Sequence, residues 1–177
     1  LVGSEMCIRD REEIASCLPG AWGEDRPFDG SIPATVVGTS HISNDGHLDA
    51  SDAPVRHLHY REREAIAVEG DLLVVKSSGS AANIRSGKTA ICSPALSGKI
   101  AAANFLMRIV PDRRLVNPYL LWLHLNSSTA KAFVRQIAGA STYPNIKWTE
   151  FKALSIPLPP LAEQERMAGR LTKQLAA

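Results

Sequence analysis

One stretch of the sequence has the residue types of a phosphate-binding loop, which would hold a nucleotide. Ala82-x4-Gly87-Lys88-Thr89 matches that pattern in part, but alanine stands where its first glycine belongs. The strand-like residues 90–94 follow where a helix would have to point its N-terminus at the anion. A nucleotide-binding enzyme, which would show protection of Lys88 by ATP, is therefore disfavoured.

Three further patterns contain reactive side chains but lack the partners that catalysis needs. Asn117-Pro118-Tyr119 is one proline short of the Asn-Pro-Pro-Tyr box of adenine methyltransferases, and no glycine-rich methyl-donor loop follows an early strand. His57-x-His59 could place two imidazoles on one face of a strand, but a third metal ligand is missing nearby. No G-x-S-x-G elbow frames the serines after Lys76. We therefore predict neither a catalytic residue nor a metal site.

Two polar loops favour nucleic acid as the partner. Residues 76–88, KSSGSAANIRSGK, contain basic side chains, which suit phosphates, and Ser and Asn, which suit phosphate oxygens or the edges of nucleobases. Their glycines would let the backbone approach a duplex closely. Residues 141–147, STYPNIK, add a tyrosine that can stack on bases. The alternative interpretation is a pair of solvated surface loops.

The formal charge of +2 hides a strong asymmetry along the chain. Residues 1–71 carry 14 acidic and 6 basic residues, whereas residues 72–114 carry 7 basic residues and one acidic residue. Such a basic middle predicts a polyanionic partner. No apolar run approaches the ~18 residues of a membrane span. The three cysteines lack C-x-x-C spacing, which argues against a disulfide scaffold or a zinc cluster and is typical of a reducing compartment.

The elements that must position these loops can be predicted from apolar runs and breaker residues. Strands are predicted at residues 34–37, 72–76, 88–92, 104–110 and 155–158, and helices at residues 117–126, 127–138 and 148–154. Asn117 is expected to cap the first helix, with Pro118 as its first residue. Residues 77–87 are predicted to be a long loop, and residues 12–71 to be rich in loops.

Both ends of the sequence differ in character from the middle. Residues 1–11, LVGSEMCIRDR, have no signal-peptide pattern and match translated sequencing-adaptor read-through, so we predict a non-native leader. Pro159-Pro160 ends the domain, and residues 161–177 predict a helix with early acids and late bases. Its apolar spacing predicts a coiled-coil seam, with an amphipathic helix folding back on its own domain as the alternative. The seam would consist of Leu161, Gln164, Ala168, Leu171 and Leu175.

Several segments together resemble the target-recognition domain and adjoining conserved helix of type I restriction–modification specificity subunits. The most specific segment is residues 156–166, IPLPPLAEQER, in which a strand, a double proline and an acidic-Gln helix start follow one another. The others are residues 20–24, 70–77, 104–108 and 145–146. The resemblance covers nearly all of the chain from about residue 18 to the C-terminus.

The resemblance implies an α+β fold and a division of the chain into two parts. Residues 12–158 would be a DNA target-recognition domain, with a twisted, partly barrel-like β-sheet and flanking helices. Residues 159–177 would be the truncated start of a spacer helix that forms a coiled coil. Family members usually carry two recognition domains, so the chain is either a fragment or a half-subunit that pairs with a second specificity half.

The resemblance also implies function and partners. The chain would be a non-catalytic, cytoplasmic subunit from a bacterium or archaeon that reads one half of a split target on double-stranded DNA in phage defence. Modification (methyltransferase) subunits and restriction subunits would be its partners. S-adenosylmethionine, ATP and magnesium are implied for those partners, and no cofactor for this chain. The rival hypothesis is an adaptor module that docks a methyltransferase without reading DNA.

The candidate DNA contacts are expected in and around the two polar loops, chosen for their residue types. Expected phosphate contacts are Lys76, Arg85, Lys88, Arg113 and Arg114. Expected base readers are Ser78, Ser80, Asn83 and Asn145, and Ser77, Tyr143 and Lys147 complete the candidates. A recognition arm is expected to hold the basic segment on one face, whereas an adaptor could scatter it.

Overall fold

The computed structural model describes residues 7–10, 14–80, 83–138 and 145–175. The strands are β1 Cys7–Asp10, β2 Ala15–Pro19, β3 Ile32–Val37, β4 Val55–Leu58, β5 Leu72–Val75, β6 Gly79–Ser80, β7 Asn83–Ile84, β8 Thr89–Ile91, β9 Ile100–Ala102, β10 Leu106–Pro111 and β11 Ser155–Leu158. The α-helices are α1 Pro118–Leu125, α2 Ser128–Ala138, α3 Trp148–Phe151 and α4 Leu161–Leu175. Short 3-10 helices lie at Thr39–His41, Tyr60–Ala65 and Pro94–Leu96.

Two sheets carry most of the domain. The larger is antiparallel, with four strands in the order β2-β10-β5-β8. The smaller has the order β4-β3-β9, in which β3 and β9 are parallel. The pairs β1-β11 and β6-β7 stand apart from both sheets. The predicted α+β class is confirmed, but the described strands do not close into a barrel, so the barrel-like detail is not confirmed.

The buried run of β5 explains how the domain is layered. Successive side chains of a strand point to opposite faces. Leu72 and Val74 accordingly join a core formed with α1, α2 and α3. Leu73 and Val75 join a second core on the other face, which includes Ile100 of β9. Because both faces are covered, the strand is apolar at every position, as expected of a central strand.

Local sequence signals set the starts of the first two helices. The Asn117 side chain accepts a hydrogen bond from the Tyr119 N–H at 3.0 Å, and Pro118 is the first residue of α1. Ser127 Oγ accepts from the Ala130 N–H at 3.2 Å ahead of α2. The indole N–H of Trp122 donates to the carbonyl of Thr89 at 3.0 Å, which ties α1 to β8. Both predicted helix starts are confirmed.

Several predicted elements need correction. Residues 77–87 are not a plain loop, since β6 and β7 form an antiparallel hairpin within them. Strands β2, β4 and β9 were not predicted, and α3 is shorter than the predicted helix over residues 148–154. Gly139, which the sequence predicts as the residue that ends α2, lies outside the described residues. Strands β2, β4 and β9 pair with strands elsewhere in the sequence, and a local pattern does not show such pairing.

The segment predicted to be a non-native leader contributes a strand. β1 pairs antiparallel with β11, with Cys7 opposite Leu158 and Asp10 opposite Ser155. The pairing describes where the segment lies and does not bear on its origin, so the leader stays a prediction. In the described part of the chain, no helix has the length and apolar character needed to cross a membrane.

Candidate nucleic-acid interface

A cleft of about 170 Å³ lies beside α2 and gathers four cationic side chains. We call it the basic cleft; it is lined by Asn44, Arg85, Ser86, Gly87, Lys88, Lys131, Val134 and Arg135. These described lining residues include no carboxylate. Among the described residues, none of the four cations lies within ion-pair distance of an acidic side chain. The cleft is therefore a concentrated site of positive charge.

The turn at residues 85–88 is held in a fixed shape beside α2. The Gly87 N–H donates to the carbonyl of Val75 at 2.8 Å, and the Val75 N–H donates to the carbonyl of Lys88 at 2.9 Å. Gly87 has a φ of +87°, and a Cβ there would lie 2.8 Å from Cγ1 of Val134. Glycine is thus needed both for the left-handed backbone and for close approach to the helix.

Two lysines of the basic cleft are anchored to one neighbouring segment. Lys88 Nζ donates to the carbonyl of Ile42 at 3.4 Å, and Lys131 Nζ donates to the carbonyl of Asn44 at 3.1 Å. Partial burial lowers the pKa of Lys88, and the nearby positive charge of Arg85 lowers the pKa further. A bound anion would relieve this unfavourable crowding of like charges.

The two polar loops singled out in the sequence are hydrogen-bonded to each other at residues 76–77 and 145–146. The Ile146 N–H donates to the carbonyl of Lys76 at 2.8 Å, and Ser77 forms an antiparallel bridge with Asn145. The Ser78 N–H donates to Ser86 Oγ at 3.1 Å, so both ends of the hairpin segment are joined. The structure therefore brings these candidate residues to the same edge of the domain as the turn of the basic cleft.

Other candidates lie elsewhere or outside the description. Neither Arg113 nor Arg114 lines the basic cleft. The guanidinium of Arg113 donates to the carbonyl of Glu69, and the 88% exposed Arg114 side chain pairs with Asp112 at 2.6 Å. The hydrogen bond from Arg114 lowers the pKa of Asp112 to about 2. Lys147 is exposed, with its Nζ 3.8 Å from the Glu150 carboxylate.

Three of the predicted contacts fall where no side chain is described. Tyr143 lies outside the described residues, and Ser80 and Asn83 are placed only as backbone of β6 and β7. Their roles in reading bases stay predictions.

The first turns of α4 pack on their own domain. Gln164 is 1% exposed and Ala168 is 6% exposed, while Leu161 is half-buried. Gln164 Oε1 accepts from the Asn117 N–H at 2.8 Å, and its Nε2 donates to the carbonyls of Leu115 at 3.1 Å and Pro159 at 2.9 Å. This packing agrees with the alternative interpretation of the sequence, in which the helix folds back on its own domain.

The seam with a second helix stays a prediction for the rest of α4. The side chains of Leu171 and Leu175 lie outside the description. Met167 is exposed on the other side of α4, in a groove that it shares with Glu163, Arg166 and Arg170.

Three polar residues that line the basic cleft lie outside the two polar loops and were missed in the sequence. They are Asn44, Lys131 and Arg135. Lys131 and Arg135 stand four residues apart in a helix, a spacing that places both on one side. That spacing was a visible signal. No comparable signal exists for Asn44, which enters the cleft from a loop far away in the sequence.

The histidine pair is not arranged as a metal site in the described part of the chain. There, no group of three or more His, Cys, Asp or Glu side chains could hold a metal ion. The ring of His59 stacks on Phe28 with centroids 4.5 Å apart, and its Nε2 lies 3.6 Å from the Glu24 carboxylate. These contacts give His59 a packing role.

Comparison with protein families gives one match that covers most of the chain. Residues 59–176 match the model described as "Type I restriction modification DNA specificity domain". A curated relative, the type I restriction enzyme MjaIX specificity subunit of Methanocaldococcus jannaschii, is 33% identical over 64 residues. That match covers 36% of this chain and 15% of the relative.

Solved structures share the fold over nearly the whole chain. The HsdS subunit from Thermoanaerobacter tengcongensis matches with a TM-score of 0.62 and 18% identity, covering 97% of this chain and 37% of that one. The type I restriction-modification S subunit from M. genitalium matches with a TM-score of 0.62 and 13% identity, covering 97% and 40%. A chain from a structure of type I R-M system assembly and conformational transition gives 0.65 and 19%, covering 96% and 42%. The chain thus spans about two fifths of the length of these proteins.

Proposed function

Because the chain belongs to the family of type I restriction modification DNA specificity domains, we propose that it binds duplex DNA and reads one half of a split target sequence. The chain itself would catalyse nothing. It would direct methylation and cleavage that other subunits perform. This division of labour agrees with a sequence in which no motif is framed as a catalytic site.

One observation carries the proposal: the basic cleft lies beside the place where the two polar loops are hydrogen-bonded to each other. Lysine and arginine neutralise phosphates and supply most of the affinity for DNA, whereas polar side chains on loops read base edges. The basic cleft and residues 76–78 and 145–146 of the two polar loops lie at one edge of the domain, which supports the proposal. The expectation that the basic segment 72–114 lies together on one face is not met, because only Arg85 and Lys88 of its seven basic residues line the cleft, and Arg108 is instead buried against Asp71. The other two cations of the cleft come from α2, and an adaptor that reads no DNA would not need all four gathered there.

We extend the proposal to partner subunits on the basis of the family to which the chain belongs. Modification subunits carrying S-adenosylmethionine, and restriction subunits using ATP and magnesium, would assemble around the chain and a second specificity half. The later turns of α4 would pair with another helix as a coiled coil. Such a complex would act on DNA in the cytoplasm of a bacterium or archaeon, in defence against phage.

Charge removal at Arg85 and Lys88 tests the proposed DNA contact. Arg85→Gln and Lys88→Gln are each expected to weaken duplex binding and to flatten the plot of log affinity against log salt concentration. The slope should fall by at most about 0.9 in each variant, because each neutralised phosphate releases condensed counterions and the other cations of the cleft remain. Fluorescence anisotropy with a labelled duplex at several salt concentrations measures both effects.

Two control variants make this test specific. Arg85→Lys retains the charge and should keep most of the salt slope. Arg61→Gln removes an exposed charge from the 3-10 helix at Tyr60–Ala65, outside both loops, and should leave the slope unchanged. Equal slopes for the Arg85→Gln, Lys88→Gln and wild-type proteins would contradict the phosphate role and favour the adaptor hypothesis.

A further inference from the structure

We infer that the basic cleft is a seat for a single backbone phosphate of DNA, and that Lys131 and Arg135 of α2 supply part of it. This inference rests on the proposed function and deepens it. It assigns DNA contact to a helix outside both polar loops, and it limits the occupant of the cleft to one phosphate group.

The size of the cleft decides what it can hold. Its volume is about 170 Å³, well below the roughly 300–1,000 Å³ of pockets that enclose a drug-sized molecule. A nucleotide with its base and sugar would therefore not be enclosed. A tetrahedral anion with some of its water fits, and the sugar and neighbouring nucleotides would remain outside.

The chemistry of the lining favours an anion with several oxygen atoms. Arg85 and Arg135 can each donate two parallel hydrogen bonds, and Lys88 and Lys131 act as compact positive charges. Among the described lining residues, no acidic group competes for these donors.

The cleft is already shaped without its occupant. Lys131 is held by the carbonyl of Asn44, and Lys88 by that of Ile42, so both ammonium groups are positioned from one side. Gly87 packs against Val134 and fixes the distance between the turn and α2. Preorganised donors lose less conformational entropy when an anion binds.

The surroundings identify the source of the phosphate as DNA. The turn at residues 85–88 directly follows the hairpin, and Ser86 Oγ accepts a hydrogen bond from the Ser78 N–H. The hairpin segment is joined in turn to residues 145–146. A duplex that contacts these loops with its base edges would bring its backbone to the basic cleft. Free phosphate would contact only the cleft and not the neighbouring loops.

The experiment combines protein variants with duplexes in which one phosphate at a time is replaced by an uncharged methylphosphonate. The affinity of the wild-type chain is expected to fall roughly tenfold or more at one or two positions, because the substitution removes a charge-assisted hydrogen bond there. The double variant Lys131→Gln/Arg135→Gln should bind unmodified duplex more weakly. It should also lose clearly less affinity than the wild type at those same positions, because only Arg85 and Lys88 then remain to contact the phosphate, while retaining full sensitivity at others.

Control measurements separate the outcomes. Arg61→Gln should show the wild-type pattern of sensitivity. If the double variant binds DNA with an unchanged affinity and pattern, the phosphate seat is refuted, while DNA reading by the loops still stands. If wild-type chain binds inorganic phosphate at Lys131 and Arg135 but no duplex, both the seat for DNA and the proposed function are refuted. Thermal melting verifies that each variant is folded.

Discussion

Replacing Asp71 by alanine is expected to destabilise the domain by about 3–5 kcal/mol, because it leaves a buried guanidinium without its counter-ion. The side chains of Asp71 and Arg108 are 3% and 11% exposed. Asp71 Oδ2 accepts hydrogen bonds from Arg108 Nε at 2.7 Å and from the Val68 N–H at 2.8 Å. Arg108 also donates to the carbonyl of Glu64 at 2.7 Å. The pair therefore ties β10 to the start of β5 and to the segment that precedes it.

Urea unfolding followed by circular dichroism measures this destabilisation. Asp112→Ala is the matched control, because its carboxylate pairs with the exposed Arg114, and an exposed pair contributes at most about 1 kcal/mol. Combining Asp71→Ala with Arg108→Met should recover part of the stability, since neither charge of the pair then remains buried. Similar destabilisation by the Asp71 and Asp112 variants would show that the buried pair contributes no more to the free energy of unfolding than the exposed pair.

Replacing Gln164 by leucine is expected to cost about 2–4 kcal/mol and to loosen α4 from the domain. Leucine fills a similar volume but leaves the Asn117 N–H and the carbonyls of Leu115 and Pro159 without the amide that they contact. A buried polar group without a partner costs about 1–3 kcal/mol. The effect should be large because Gln164 is nearly inaccessible to solvent.

Hydrogen exchange at the Asn117 amide gives a readout specific to this contact. In the Gln164→Leu variant that amide should exchange faster, while amides in the central β5 keep their protection. Glu165→Leu is the neighbouring control, since Glu165 is exposed and should leave Asn117 protected. Unchanged protection of Asn117 in the Gln164 variant would refute the assigned role.

The role of Gln164 has a consequence for the direction of α4. The glutamine contacts the connection between β10 and α1 on one side and the end of β11 on the other. These bonds fix how the helix leaves the domain. If the later turns of α4 pair with another helix as a coiled coil, as proposed above, Gln164 would couple the direction of that coiled coil to the position of the recognition loops.

The parts of the fold that the sequence predicts are those decided by local patterns. The apolar run of β5 and the cap of α1 by Asn117 were predicted for the physical reasons that the structure shows. The family predicted from residues 156–166 is confirmed by the family match over residues 59–176. These features share a signal within a few neighbouring residues.

The missed parts depend on contacts between distant segments. β9 is Ile100-Ala101-Ala102, and alanine favours helices, yet the segment is a strand because it pairs in parallel with β3. The basic cleft combines Asn44 with the turn at residues 85–88 and with α2. No spacing along the chain reveals such a combination, although the four-residue spacing of Lys131 and Arg135 marks one of its sides.

Selection of duplexes from a random pool by the 177-residue chain tests sequence-specific DNA reading most directly. We predict enrichment of one short motif, with each single-base change within it costing about 1–3 kcal/mol of binding free energy. Binding should also weaken steeply with salt. A folded chain that enriches no motif and binds all duplexes equally, or none, would contradict the assignment of this domain as a reader of DNA sequence.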